Sequence, residues 1–144
     1  MAELTDKRLF LLDMDGTLYL DDDLFPGTIP FLRRIREKGG RYLFLTNNSS
    51  RGADSYVEKL RRLGIGSVPE DFLTSVDALV LFLRKGDYQG KPLYVAGTES
   101  FRRQLRQAGF SVTSDREEAE VLICGFDTEL TFQKLEDACI LLNR

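Results

Sequence analysis

Short apolar runs alternate with longer amphipathic segments along the chain, and this alternation predicts its order of strands and helices. Runs of four apolar residues predict strands, the first of them buried on both faces. The predicted strands are Leu9–Leu12, Tyr42–Leu45, Leu93–Ala96 and Val121–Cys124. Apolar residues at helical spacing, mostly followed by a glycine, predict helices over residues 28–38, 53–63, 76–84, 99–108 and 130–142. Thr131 is available as the cap of the last helix. The pattern is that of an α/β protein with a parallel sheet.

The best candidate for a domain boundary is Lys85–Pro92, because it contains Gly86, Gly90 and Pro92. We therefore expect one part over residues 1–86 and a second over residues 87–144.

Composition excludes several classes of function. The chain has 144 residues and a net charge of −3, so it lacks the basic excess of a nucleic-acid-binding protein. It contains no histidine, which excludes histidine-dependent triads and histidine metal sites. The basic clusters Arg33–Arg36 and Lys59–Arg62 alternate with apolar residues and predict solvated helix faces.

Cellular context follows from the cysteines and the apolar runs. Cys124 and Cys139 lie in apolar stretches without metal-ligand spacing, so we expect both to be reduced core residues. Residues 1–8 lack the pattern of a signal peptide, and no run is long enough for a membrane span. We therefore expect a cytoplasmic protein with no membrane or nucleic-acid partner.

Asp13-Met14-Asp15-Gly16-Thr17 directly follows the first predicted strand. Two carboxylates would be costly to bury unpaired, so we expect them at the open end of the strand, facing a cation. Gly16 allows a sharp turn and leaves amides for an anionic ligand. The alternative is a simple turn that ends the strand.

Thr46-Asn47-Asn48-Ser49-Ser50-Arg51 follows the second predicted strand and supplies donors without a carboxylate. This composition suits a phosphate, although a polar loop leading into a helix would look similar. The strand, helix and strand up to Thr46 predict a right-handed βαβ unit, whose parallel strands end at the same edge of the sheet. An acidic loop and a donor-rich loop at one edge favour phosphoryl transfer.

These two motifs resemble motifs one and two of the haloacid dehalogenase superfamily. The wider sequence is similar to its p-nitrophenylphosphatase and sugar-phosphatase branch, which carries a large α/β cap. The similar stretches are Pro26-Gly27, Leu60–Gly64 and Gly125–Thr131. The resemblance implies a Rossmann-like core over residues 1–86 and the first part of the inserted cap over residues 87–144.

The resemblance also implies roles for individual residues. Asp13 would be the nucleophile and would ligate Mg²⁺ together with the backbone carbonyl of Asp15. Asp15 would protonate the leaving group and then activate water. Thr46, Asn47 and Asn48 would bind phosphate together with the backbone near Met14 and Gly16. The second aspartate argues against dehalogenase chemistry.

The superfamily also uses a third-motif lysine and a fourth, acidic motif, which the resemblance places beyond Arg144. Lys91 and Asp127 look like substitutes, but they fall in the predicted cap. Asp21, Asp22 and Asp23 predict a solvated turn.

The function implied is a magnesium-dependent phosphomonoester hydrolase that forms an aspartyl-phosphate and acts on a small phosphorylated metabolite. The alternatives are a non-catalytic phosphate-binding module and a phosphotransferase or mutase. The cap would serve as a contact surface in a homo-oligomer. Uncovered strand edges and apolar surface predict marginal stability or self-association of this chain.

Overall fold

The structure is a computed structural model that describes residues 6–144. Residues 1–5, part of the segment in which no signal peptide is predicted, lie outside this range. The elements, numbered in chain order, are β1 (Leu9–Asp13), β2 (Tyr19–Leu20), β3 (Asp23–Leu24), α1 (Thr28–Glu37), β4 (Arg41–Thr46), α2 (Ala53–Arg62), a 3₁₀ turn (Pro69–Asp71), β5 (Phe72–Thr74), α3 (Ser75–Lys85), β6 (Leu93–Ala96), α4 (Glu99–Gln107), β7 (Val112–Thr113), β8 (Val121–Cys124) and α5 (Phe132–Leu142).

The predicted α/β class and all of the predicted strands and helices are confirmed, with ends shifted by at most a few residues. The elements missed by the sequence pattern, β2, β3, β5, β7 and the 3₁₀ turn, are two or three residues long. Such elements are too short to show a period of apolar residues.

The chain divides into two units. The first contains the chain up to Thr46 together with Ala53–Leu73, and the second contains Asn47–Gly52 and Thr74–Arg144.

The first unit is built on a sheet with the strand order β1-β4-β5. β1 and β4 are parallel, in a register that pairs Leu9 with Arg41 and Asp13 with Leu45. One face packs a core that includes Met14, Tyr19, Phe44 and Leu60, all fully buried. The predicted burial of β1 on both faces is wrong, because Leu9 and Leu11 are 56% and 57% exposed. Alternate strand residues share a face, so Phe10 and Leu12 reach the core while this second face of β1 stays uncovered.

The second unit is built on a parallel sheet with the order β7-β6-β8. Its core includes Val76 and Leu83 of α3 together with Leu93, Phe101 and Leu105. Helix α3 therefore belongs to this unit, and the units change at Leu73 and Thr74 rather than at the predicted boundary of residues 86 and 87. The turn around Gly86 ends α3 but does not separate it from the elements that it packs against.

Both cysteines are free, but the prediction that they lie in the core is wrong because both are exposed. Cys124 is the last residue of β8. Cys139 lies on α5, which also exposes Phe132, Leu135 and Leu142. The apolar stretches that suggested burial are thus partly surface. Within residues 6–144, no helix combines the length and apolar character needed to cross a bilayer.

Candidate active site

The two carboxylates of the first motif stand at the carboxyl end of β1. Asp13 is the last residue of the strand, and Asp15 follows one residue later. Met14 between them is fully buried in the core of the first unit, whereas Asp13 and Asp15 are exposed. Because successive residues of an extended chain point to opposite sides, the burial of Met14 turns both carboxylates toward solvent.

A tight turn follows Asp15. Gly16 has a φ of 79°, a conformation that costs little only for glycine. The Met14 carbonyl accepts hydrogen bonds from Thr17 N at 3.1 Å and Leu18 N at 2.9 Å. Gly16 N donates to the Tyr19 carbonyl at 2.8 Å, so this amide is occupied by the turn. Gly16 therefore shapes the loop here, rather than offering a free amide.

Lys59, which the sequence pattern predicted to be solvated, lies against this turn. Lys59 Nζ is 3.4 Å from Asp15 Oδ1 and 4.1 Å from the centroid of the Tyr19 ring. The Lys59 side chain is 15% exposed, so the predicted solvated face is wrong for this residue. It is correct for Arg61, whose side chain is 73% exposed and pairs with Glu58.

The sequence signal for Lys59 is its position on the helix. Tyr56 and Leu60 are the buried residues of α2, and Lys59 lies three residues after Tyr56. Residues three apart share a helix face, so Lys59 borders the buried face rather than the opposite one.

Tyr19 forms the base of this arrangement. Its side chain is fully buried beside the turn. Burial, followed by the negative charge of Asp15, raises the pKa of Tyr19 well above its ordinary value. The phenol therefore stays protonated, and its ring presents an uncharged face to the Lys59 ammonium.

Thr46 ends the strand next to β1. It is 7% exposed, and its hydroxyl donates to the Tyr56 hydroxyl at 3.3 Å. Since Asp13 pairs with Leu45, Thr46 extends β4 one residue past the level of Asp13. The structure thus brings Asp13, Asp15 and Thr46 to one edge of the first sheet.

Asn47 and Asn48 follow Thr46 in the chain and are grouped with the second unit. Asn48 Oδ1 accepts hydrogen bonds from Ser50 N at 2.9 Å and Ser50 Oγ at 2.6 Å, so this side chain holds its own loop together. Ser49 Oγ accepts from Phe126 N at 2.9 Å. Asn47 lines a cavity of about 380 Å³ in the second unit, beside Ser49 and Cys124.

The oxygen atoms at the end of β1 limit the kind of metal ion that could bind there. In the described part of the chain, no three carboxylate, thiol or imidazole side chains are grouped so that they could hold a metal. Asp13 and Asp15 supply only oxygen ligands. Mg²⁺ is commonly held by one or two carboxylates, with water and substrate phosphate completing its shell. The pair therefore fits Mg²⁺ and does not resemble a structural zinc site.

The remaining acidic and basic candidates have other partners. Asp21 and Asp22 form the exposed turn between β2 and β3, as predicted, whereas Asp23 is exposed but begins β3. Lys91 pairs with exposed Asp87 at 3.5 Å. Asp127 pairs with Lys134 at 3.0 Å, and Lys134 Nζ also donates to the Gly97 carbonyl at 3.2 Å. Asp127 and Lys134 are thus joined in a structural contact of the second unit.

Comparison with known proteins gives consistent matches. A family model of haloacid dehalogenase-like hydrolases matches residues 10–111. An acid sugar phosphatase of Staphylococcus aureus is 30% identical over 133 residues, which is 92% of this chain and 51% of that protein. The chain therefore spans about half the length of the curated relatives it matches.

Solved structures agree with this match. A 4-nitrophenylphosphatase from Thermotoga maritima is 39% identical, with a TM-score of 0.86 over 96% of this chain and 52% of its own. A glycerol phosphate phosphatase from Mycobacterium tuberculosis, solved in complex with magnesium, is 26% identical, with a TM-score of 0.85 over 94% of this chain and 41% of its own.

Proposed function

The chain belongs to the haloacid dehalogenase-like hydrolase family, and on this basis we propose that it carries the nucleophile and the acid–base residue of a magnesium-dependent phosphomonoester hydrolase. The observation that carries the proposal is the pair of exposed carboxylates, Asp13 and Asp15, on either side of fully buried Met14. Buried packing on one side fixes the backbone, and both reactive groups face outward at the end of a parallel strand, where α/β proteins bind ligands.

Asp13 acts as the nucleophile in the first half of the reaction. One of its carboxylate oxygens attacks the phosphorus atom of the substrate, and the bond from phosphorus to the leaving oxygen breaks. Asp15 donates a proton to that oxygen, which leaves as an alcohol. The product on the protein is an aspartyl-phosphate at Asp13.

Asp15 acts as a general base in the second half of the reaction. Its carboxylate takes a proton from a water molecule, whose oxygen attacks the phosphorus atom. The bond between phosphorus and the Asp13 oxygen breaks, which releases inorganic phosphate and restores the Asp13 carboxylate. Asp15 has then regained the proton that it gave, as general acid–base catalysis requires.

The phosphate is held by donors at the ends of β1 and β4. These are the backbone amides of Met14 and Asp15 and the Thr46 hydroxyl, which must rotate from Tyr56 toward the phosphate to donate to it. Asn47 and Asn48 stay further contributors predicted from the sequence. A bound Mg²⁺, held by the Asp13 carboxylate and the backbone carbonyl of Asp15, would offset the repulsion between the anionic phosphate and the attacking carboxylate.

The substrate class is a small phosphorylated metabolite. The relatives named above are phosphatases of sugar phosphates, glycerol phosphate and 4-nitrophenyl phosphate. Their names support a phosphomonoester of a small polyol or sugar.

The test is turnover of p-nitrophenyl phosphate by the chain, with and without Mg²⁺. We expect magnesium-dependent release of p-nitrophenol that is lost in Asp13→Asn. The matched control is Asp22→Asn, which removes an exposed carboxylate from the neighbouring turn and should keep activity. Turnover that survives Asp13→Asn contradicts the mechanism, and its absence from the unmodified chain contradicts the activity. Release of free phosphate in the presence of a sugar acceptor distinguishes hydrolysis from phosphotransfer.

A further inference from the structure

Lys59 contacts Asp15, but the proposed reaction gives it no role. We propose that Lys59 is a positioning residue, which holds the Asp15 carboxylate by Oδ1 in a single orientation. The orientation of Asp15 is inferred from geometry alone. Its effect on catalysis rests on the proposed function. The two distances that define it are 3.4 Å from Lys59 Nζ to Asp15 Oδ1 and 4.1 Å to the Tyr19 ring centroid.

The lysine is itself held in place. Helix α2 is anchored by Tyr56 and Leu60, which are 3% and 0% exposed, and the Tyr19 ring below the ammonium is fully buried. A largely buried ammonium is costly unless other groups compensate its charge. Here the aromatic face and the Asp15 carboxylate do so, and a cation–π contact strengthens when water is excluded. The packing of α2 and of the Tyr19 ring in the core therefore fixes the position of Lys59.

Asp15 needs such a contact because its own side chain is 59% exposed. A free surface carboxylate exchanges between rotamers, whereas proton transfer requires the donor and acceptor to approach within hydrogen-bond distance. A misplacement of about 1 Å can cost roughly a hundredfold in rate. The contact uses Oδ1 of Asp15, so the second oxygen can serve the proton transfer. Because Asp15 is mostly solvated, the pair should matter more for orientation than for stability.

The orientation can be measured without any activity. Three-bond NMR couplings report the χ1 rotamer population of Asp15 in the wild type and in Lys59→Met, Lys59→Arg and Arg61→Met. We expect one dominant rotamer in the wild type and averaged couplings in Lys59→Met. Lys59→Arg keeps the cation and should retain the rotamer, and Arg61→Met, which removes an exposed cation from the same helix, should behave as wild type. Averaged couplings in the wild type, or unchanged couplings in Lys59→Met, would overturn the inference. If Lys59→Met does not fold, the comparison is made with Lys59→Gln.

The catalytic consequence is measured with two leaving groups. p-Nitrophenolate leaves with little help from an acid, whereas the alkoxide of glycerol phosphate requires protonation. We expect Lys59→Met to lower kcat for glycerol phosphate at least tenfold more than for p-nitrophenyl phosphate, which is a modest part of the roughly 10²–10⁴ that acid–base catalysis contributes. Lys59→Arg should restore most of this difference.

Equal losses of kcat for both substrates would indicate that Lys59 has a merely structural role, and would reject its positioning of Asp15 in the reaction. No turnover of either substrate by the wild type would reject the proposed function, and the couplings would still decide whether Lys59 orients Asp15.

Discussion

The Tyr94 hydroxyl donates a 2.8 Å hydrogen bond to Asp137 Oδ2 and joins β6 to α5 in the second unit. Arg116 Nη1 and Gln133 Nε2 each donate to Asp137 Oδ1 at 2.9 Å, so both oxygens of this buried carboxylate are bonded. The Tyr94 hydrogen bond is the largest of the effects that lower the pKa of Asp137. Burial, with the same contact, raises the pKa of Tyr94 to about 12. The contact therefore favours an ionised Asp137 beside a neutral Tyr94.

Acid should weaken this contact. Because the folded-state pKa of Asp137 is lowered, its contribution to stability is present above the ordinary aspartate pKa of about 4 and is lost as the pH falls through the folded value. We expect Tyr94→Phe to lower the free energy of unfolding at pH 7, and to lower it less at a pH below the lowered pKa of Asp137, where Asp137 is protonated. Denaturant titration at the two pH values measures this difference. Tyr88→Phe is the control, and an equal effect of Tyr94→Phe at both pH values would contradict the prediction.

Two helix caps should differ in strength. Thr131 Oγ1 accepts from Lys134 N at 3.3 Å at the exposed start of α5, as predicted from the sequence. Thr98 Oγ1 accepts from Phe101 N at 3.2 Å and also donates to the Ser50 carbonyl at 3.2 Å, and Thr98 is 1% exposed. We expect Thr131→Ala to cost about 1 kcal/mol and Thr98→Ala about 2 kcal/mol, because the second change also leaves a buried carbonyl unbonded. Urea unfolding midpoints at constant m-value test this order of the two losses. A larger loss in Thr131→Ala than in Thr98→Ala would contradict the prediction.

The turn after Asp15 should depend on glycine. An added Cβ at Gly16 would meet no atom within 4 Å, so the cost of Gly16→Ala comes from its positive φ of 79°. We expect a loss of about 1–2 kcal/mol in the free energy of unfolding, together with lower turnover because the turn carries Asp15. Gly66→Ala is the control, since that site is equally open and lies outside the left-handed region. Equal stability of the two variants would show that the turn tolerates a side chain.

The exposed apolar residues of α5 should promote self-association. Phe132 and Leu142 are 81% and 74% exposed, and with Leu135 and Cys139 they recur at helical spacing on one face. We expect the double variant Phe132→Gln, Leu142→Gln to shift sedimentation equilibrium toward the monomer without lowering the thermal midpoint. As a comparison, Leu11→Thr changes the uncovered face of β1. An unchanged association constant in the α5 variant would exclude this helix as the contact.

Local sequence accounts for much of the fold. The ends of α1, α2 and α4 were predicted because Gly39, Gly64 and Gly109 follow them, and all three have positive φ. The first motif was found for a similar reason. Two carboxylates directly after an apolar strand are unusual, and their spacing around Met14 is visible without a structure.

Contacts between distant residues account for the errors. Lys59 and Asp15 lie 44 positions apart, and only the packing of α2 on the core brings the lysine over Tyr19. The burial of β1 was overestimated because an apolar run does not show which of its faces another element covers. The packing of Val76 and Leu83 of α3 with the second unit is likewise a long-range contact, which the glycine turn after the helix does not reveal.

The sequence by itself therefore determined the helices, the strands of four or more residues, their order and the residues at the end of β1, because periodicity, capping and turn chemistry act over a few neighbouring residues. The tertiary structure alone decided which faces are covered, which unit each helix joins and which cation meets Asp15. Those outcomes depend on side chains far apart in the chain, whose proximity is set by the packing of the cores.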